Sequence, residues 1–222
     1  MQVALFIQTA SVLVAAITVV IGVNAWRRSL VGGKKLDLAE EVYRRFLNVR
    51  DLIGEIRSPI GYEGEGLTRK RGERETPFES EILDRAFVAV ERYNNRKEEF
   101  NALDALRHRF TFYFGEDAAE PFNDLAAIMR DIFSASRTLR RSWLEQGRKE
   151  MTESEFEVHL KRMQDAEEKF WAMGEDDPLE PRIQKMISTI QEISRSTVNP
   201  KITICSLTAN WWQSARLFFK CS

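Results

Sequence analysis

The residues best placed to do chemistry lie in one short stretch. Gly61-Tyr62-Glu63-Gly64-Glu65-Gly66 is the only glycine-rich element, and Arg69-Lys70-Arg71 with Arg74 follows it. Glycine turns cradle phosphate when they lead from a strand into a helix N-terminus, with Lys and Ser or Thr in the P-loop version. Here the segment follows a helical pattern, and Glu63 and Glu65 would repel phosphate, which favours a tight, ordered turn at a bundle end. The basic run could serve an anionic lipid or nucleic acid. Glu73 and Glu75 dilute it, and a helix rising from the membrane over Leu36–Arg57 would carry it ~33 Å away. That distance is far beyond a Debye length of ~8 Å, so a solvated loop is the better reading.

Other reactive side chains do not assemble into a pattern. His108 stands between Arg107 and Arg109, which disfavour its protonation, and reads as a surface or half-buried histidine. Glu91, Glu98, Glu99 and Asp104 supply carboxylates without the Glu-x-x-His pair of a di-iron bundle. Neither a Ser-His-Asp nor a Cys-His grouping can be argued from spacing. His108 and His159 are far apart, and Cys205 and Cys221 sit near the end of the sequence without metal spacing. We therefore expect no catalytic residue, no cofactor and no metal. The enzyme alternative is confined to the Ser58–Glu75 loop, around Tyr62, Glu63, Glu65 and Arg69.

The elements that carry this loop begin with an apolar stretch. Val3 to Ala25 contains no charged residue, and Arg27, Arg28, Lys34 and Lys35 follow. As a helix the stretch reaches about 34 Å, enough to cross a hydrocarbon core of ~30 Å. Basic residues only on its C-terminal side place the bulk of the chain in the cytoplasm by the positive-inside rule. A cleaved secretory signal competes, with Val23-Asn24-Ala25 as a loose cleavage site. The missing basic n-region, the long apolar run and the basic cluster after it favour an uncleaved anchor over Val3–Trp26. Gln8, Ser11, Ala15, Thr18, Gly22 and Ala25 recur at spacings of three and four and form one stripe of small or weakly polar residues. Such stripes let spans approach closely, which suggests a homo-oligomer or a membrane partner; the same composition also arises by chance in a span.

Beyond the anchor, Arg27–Ser196 is charge-rich. It holds all 34 Asp and Glu of the chain and all of the 33 Lys and Arg except Lys201, Arg216 and Lys220, a modest acidic excess that argues against nucleic acid as a partner. Its apolar positions are helical in period. Ala39, Val42, Tyr43, Phe46, Ile53 and Ile56 stripe a helix over Leu36–Arg57, with Gly32-Gly33 as a bend or a tolerated pair before it. Thr76-Pro77-Phe78-Glu79 reads as a capping box with proline at the first helical position. The helix it opens carries Ile82, Ala86, Ala89, Tyr93, Phe100, Leu103, Phe110 and Phe114 as far as Gly115, about 38 residues or close to 57 Å.

A further helix places Phe122, Leu125, Met129, Ile132, Ser136, Leu139 and Trp143 on one face, with Pro121 near its start. Thr152-x-x-Glu155 opens the next, which carries Phe156, Leu160, Met163 and Phe170. Asp177-Pro178-Leu179-Glu180 opens the last, with Ile183, Met186, Ile187, Ile190 and Ile193. The expected fold class is all-α: an N-terminal transmembrane helix followed by an elongated antiparallel bundle of about five helices with coiled-coil-like packing. Thr197–Ser222 departs in composition, with Trp211-Trp212 and Leu217-Phe218-Phe219, and reads either as an interfacial segment or as a tail without a fold of its own.

Several motifs in this chain belong together: Trp26-Arg27-Arg28; Ile56-Arg57-Ser58-Pro59-Ile60-Gly61-Tyr62-Glu63-Gly64-Glu65-Gly66; Glu91-Arg92-Tyr93; Leu106-Arg107-His108-Arg109-Phe110; and Phe114 to Phe122. Through them, over about Trp26 to Trp143, the chain resembles a group of bacterial proteins that pair one N-terminal span with a helical cytoplasmic region. The resemblance implies a bacterial inner-membrane setting and brings no activity, cofactor or partner. The expected role is a single-pass inner-membrane protein whose cytoplasmic helices form an interaction or scaffold module.

Overall fold

A computed structural model describes residues 2–173 and 176–198, with side chains from Ser11 onward apart from Leu13 and Val198. Every regular element among them is helical: α1 (Gln2–Ile56), α2 (Pro77–Asp104), α3 (Arg107–Phe114), a 3-10 turn (Glu116–Ala119), α4 (Glu120–Glu145), α5 (Glu153–Phe170) and α6 (Glu180–Val198). The chain divides into two units, residues 1–39 with 192–222, and residues 40–191.

In the first unit the helix runs unbroken through Gly32-Gly33, so the pair is not a bend. One helix among the described residues, Val14–Ile56, is long and apolar enough to cross a membrane, and none of its most apolar window is buried. Val12, Val14, Val19, Val20, Ile21 and Val23 are all exposed. Toward the end of the unit the environment changes: Leu38 and Ala39 are buried, and Ser194 Oγ donates to the Ala39 carbonyl at 3.3 Å.

The second unit buries the stripes legible in the sequence. Val42, Phe46, Ile53 and Ile56 of α1 are fully covered, joined by Val49 and Leu52, while Tyr43 is half-buried. All seven striped residues of α4 are buried. Phe46 meets Phe122 edge-on at 5.0 Å, Tyr93 meets Phe133 likewise, and Ser136 Oγ donates to the Ala86 carbonyl at 2.6 Å. These contacts tie α1, α2 and α4 together.

Local chemistry sets the helix ends. The boxes at Thr76/Glu79 and Thr152/Glu155 both form, each threonine accepting from the N3 amide while the glutamate takes the cap amide. At the third site Asp177 instead accepts from the Leu179 amide, and Glu180 turns to Gln184. The long helix expected from Thr76 to Gly115 is interrupted. At Ala105-Leu106 the backbone stays right-handed, but the Leu106 amide reaches back only to Leu103, tightening one turn and separating α2 from α3. Gly115, at φ +94, ends α3 as a residue without a Cβ can. Phe156 is a correction: its place on the stripe predicted burial, and it is exposed.

Candidate functional site

Residues 57–76 are held by charged side chains of their neighbours. Arg92 on α2 projects into the loop, donating to both Glu65 carboxylate oxygens at 2.9 and 2.7 Å. The same guanidinium donates to the carbonyls of Glu55, Ser58 and Ile60. The last turn of α1 has no basic residue of its own, so Arg92 satisfies carbonyls that the helix leaves open and binds the loop to them. Glu91, buried one residue earlier, accepts from the Gly66 and Thr68 amides and from the Thr68 hydroxyl at 2.5 Å. Burial pushes the Glu91 carboxyl up, and these three donors outweigh it and hold it below the usual carboxylate range.

The basic run is consumed in part by the fold. Arg69 binds Glu75 in a fork, at 2.8 and 2.6 Å, and Asp84 at 2.9 Å; Arg71 takes the other Asp84 oxygen at 2.7 Å. The Arg69 hydrogen bonds bring the Glu75 carboxyl down to about 2, helped by the Gly72 amide. Gly66, at φ +85, lies against the Asp84 backbone so closely that a Cβ would overlap its carbonyl. The loop is therefore seated on α2 by backbone contact as well as by charge.

A further arginine, this one buried, anchors the start of the loop. Arg57 is 1% exposed. It donates to the carbonyls of Glu168, Lys169 and Trp171 at the end of α5, and forks onto Asp177 at 2.7 and 2.8 Å. Burial raises the Asp177 carboxyl, but the Arg57 hydrogen bonds and the Leu179 amide bring it below its ordinary value. The Ala172 amide completes the junction by donating to the Arg57 carbonyl.

The sequence-predicted residues fall into two groups. Glu65 and Arg69 are partly buried within the ion-pair network; Arg92 is the chief reason that Glu65 titrates low, and Glu75 is the chief reason that Arg69 titrates high. Tyr62 is 76% exposed and Glu63 is exposed; only the Tyr62 backbone joins the network, its amide donating to the Glu65 carboxylate and its carbonyl accepting from the Glu65 amide. In the span, Ser11, Ala15, Thr18 and Gly22 are exposed, and the Gln8 side chain lies outside the described residues. Thr18 donates its hydroxyl to the Val14 carbonyl of its own helix. His108 is exposed, and no group of His, Cys, Asp and Glu among the described residues could hold a metal. Cys205, Cys221 and Trp211-Trp212 lie outside the described residues.

Sequence reasoning passed over Arg57, Asp84 and Arg92, and noted Asp177 only as a helix cap and Glu91 only as a carboxylate. Arg57, Glu91 and Arg92 did stand in the quoted motifs, but nothing local marks an exposed-looking charge on a helix as a buried clamp. The arrangement neutralises its charges within itself and leaves Tyr62, Glu63 and the Ile60 and Leu67 side chains facing solvent. Comparison with protein-family models, with curated proteins and with solved structures gives no match for this chain.

Proposed function

We propose that this chain is a single-pass inner-membrane protein whose helices form an antiparallel cytoplasmic bundle, a scaffold or interaction module that self-associates through the span. The observation that carries the reading is the long apolar helix at the N-terminal side, in which Val12, Val14, Ile17, Val19, Val20, Ile21 and Val23 are all exposed among the described residues. A bilayer would cover them, and the basic residues Arg27, Arg28, Lys34 and Lys35 then favour the cytoplasmic side. Exposed Ala15 and Gly22 leave room for a second span at close approach.

The loop supports a scaffold over an enzyme. Many of its polar groups are committed to Arg92, Glu91, Asp84 and Glu75, as in a rigid support, and the stretch from Ile60 to Leu67 turns an aromatic, a carboxylate and aliphatics outward. Such a surface suits a protein contact. In native membranes, cysteine cross-linking at Ala15 should give a covalent dimer that Gly22→Leu abolishes. Monomer alone, with no co-purifying protein after pull-down from mild detergent, overturns the reading.

A further inference from the structure

The observation that reaches furthest is an open groove of about 920 Å³ between α2 and α4. Leu83, Phe87, Val90 and Tyr93 of α2 form one wall and Arg130, Phe133, Arg137 and Arg140 of α4 the other, each series stepping by three or four residues so that the groove follows both helices for ~15 Å. Phe87, Val90, Tyr93 and Phe133 are only half-buried. Above this apolar floor stand Lys70, Arg130, Arg137 and Arg140, all exposed, and no ion pair engages any of them among the described residues.

The charge layout selects the occupant. An amphiphile with a single headgroup needs cations gathered at one end, whereas here Arg130, Arg137 and Arg140 are spread along α4 over the length of the groove. That suits a helix with an apolar ridge between carboxylates. The chain carries such a face. Glu153, Phe156 and Glu157 fall at i, i+3 and i+4 of α5, Phe156 is 46% exposed, and neither glutamate has a bonding partner among the described residues. Glu155, by contrast, is used by its cap. Glu153 and Glu157 are one turn apart, as are Arg137 and Arg140.

We propose that the α2/α4 groove docks the first turns of α5 from a second copy of this chain, with Phe156 on the apolar floor and Glu153 and Glu157 against the groove arginines. The proposal deepens the scaffold reading and rests on it for the identity of the partner. Groove and α5 face are different surfaces: formed reciprocally about a two-fold axis the two contacts close an isologous dimer, and formed singly the contact is heterologous and gives a ring or propagates.

The test uses full-length chain in its membranes, co-expressed with two tags, with p-benzoylphenylalanine replacing Phe156 in one copy. Illumination should give a covalent dimer whose adducts map to Phe87–Asn94 and Phe133–Arg140 of the other copy. Arg137→Glu with Arg140→Glu in the groove copy should lower the yield about tenfold, and Glu153→Arg with Glu157→Arg in the photoreactive copy should restore it to within about twofold. These residues are exposed, so unchanged helicity by circular dichroism checks the fold. No dimer, adducts elsewhere, or a yield indifferent to charge reversal overturns the proposal. A parallel Ala15→Cys cross-link keeps the two readings apart: if it persists while the groove adduct is missing, the groove fails alone, and the converse result sinks only association through the span.

Discussion

Two arginines do similar work where the loop leaves α1. Arg57 and Arg92 each satisfy the open carbonyls of a helix C-terminus and bind a carboxylate with the same fork, so each joins three segments through one planar group. Lysine cannot reproduce this, having no fork. Arg57→Met leaves Asp177 buried without its cation and should cost about 3–5 kcal/mol in urea unfolding, with Arg57→Lys close to it. Gly66→Ala combines a positive φ with overlap on the Asp84 backbone and should destabilise by about 3 kcal/mol or more, at the upper end for single substitutions.

Acid should act on the same contacts. Glu65, Glu75, Glu91 and Asp177 are all held below their ordinary values in the fold, so each contributes stability that is complete above its unfolded value and is lost as pH falls through the folded one. For Glu75 the window runs from 4.5 down to about 2. Thermal midpoints should therefore fall across that range, and Glu75→Gln should flatten the slope; a midpoint independent of pH there contradicts the ion-pair account.

At the scale of elements, the loop between α1 and α2 behaves as part of the bundle. Gly66, Glu65, Thr68, Arg69 and Arg71 are bound to side chains of α2, while Tyr62 and Glu63, turned outward, do not hold the loop in place. Tyr62→Ala and Glu63→Gln should leave the unfolding free energy within about 0.5 kcal/mol of the parent while Glu65→Gln does not. A phenotype from the first pair with an unchanged fold would locate a contact surface at the loop. The α2 to α3 boundary has a similarly local cause: one amide at Leu106 shifts its partner by a single residue, which apolar periodicity across Leu103 and Phe110 does not register.

For the whole molecule, the proposed anchor predicts fractionation. The full chain should sediment with membranes and resist alkaline extraction, and removal of residues 2–26 should move it to the supernatant with its helicity largely retained. A full chain that washes off at high pH contradicts the span. Ala15 and Gly22 share one face of the helix, so cross-linking at both positions also reads which face meets the second span.

The sequence by itself determined where most of the helices lie and how α2 and α5 start, because periodicity and capping are written within a few residues of each other: Thr76 with Glu79, Thr152 with Glu155, and the α4 stripe from Phe122 to Trp143. It also identified the uncharged stretch from Val3 to Ala25, a matter of composition alone. Only the tertiary structure decided that Arg57 is buried against Asp177, 120 positions away, that Glu91 and Arg92 hold the loop, and that Phe156 faces outward. A charged residue looks the same in sequence whether water or a distant carboxylate neutralises it, and an apolar one looks the same whether or not a neighbour arrives to cover it. Both questions are settled by which helices meet, and that depends on the packing of the whole chain rather than on any local spacing.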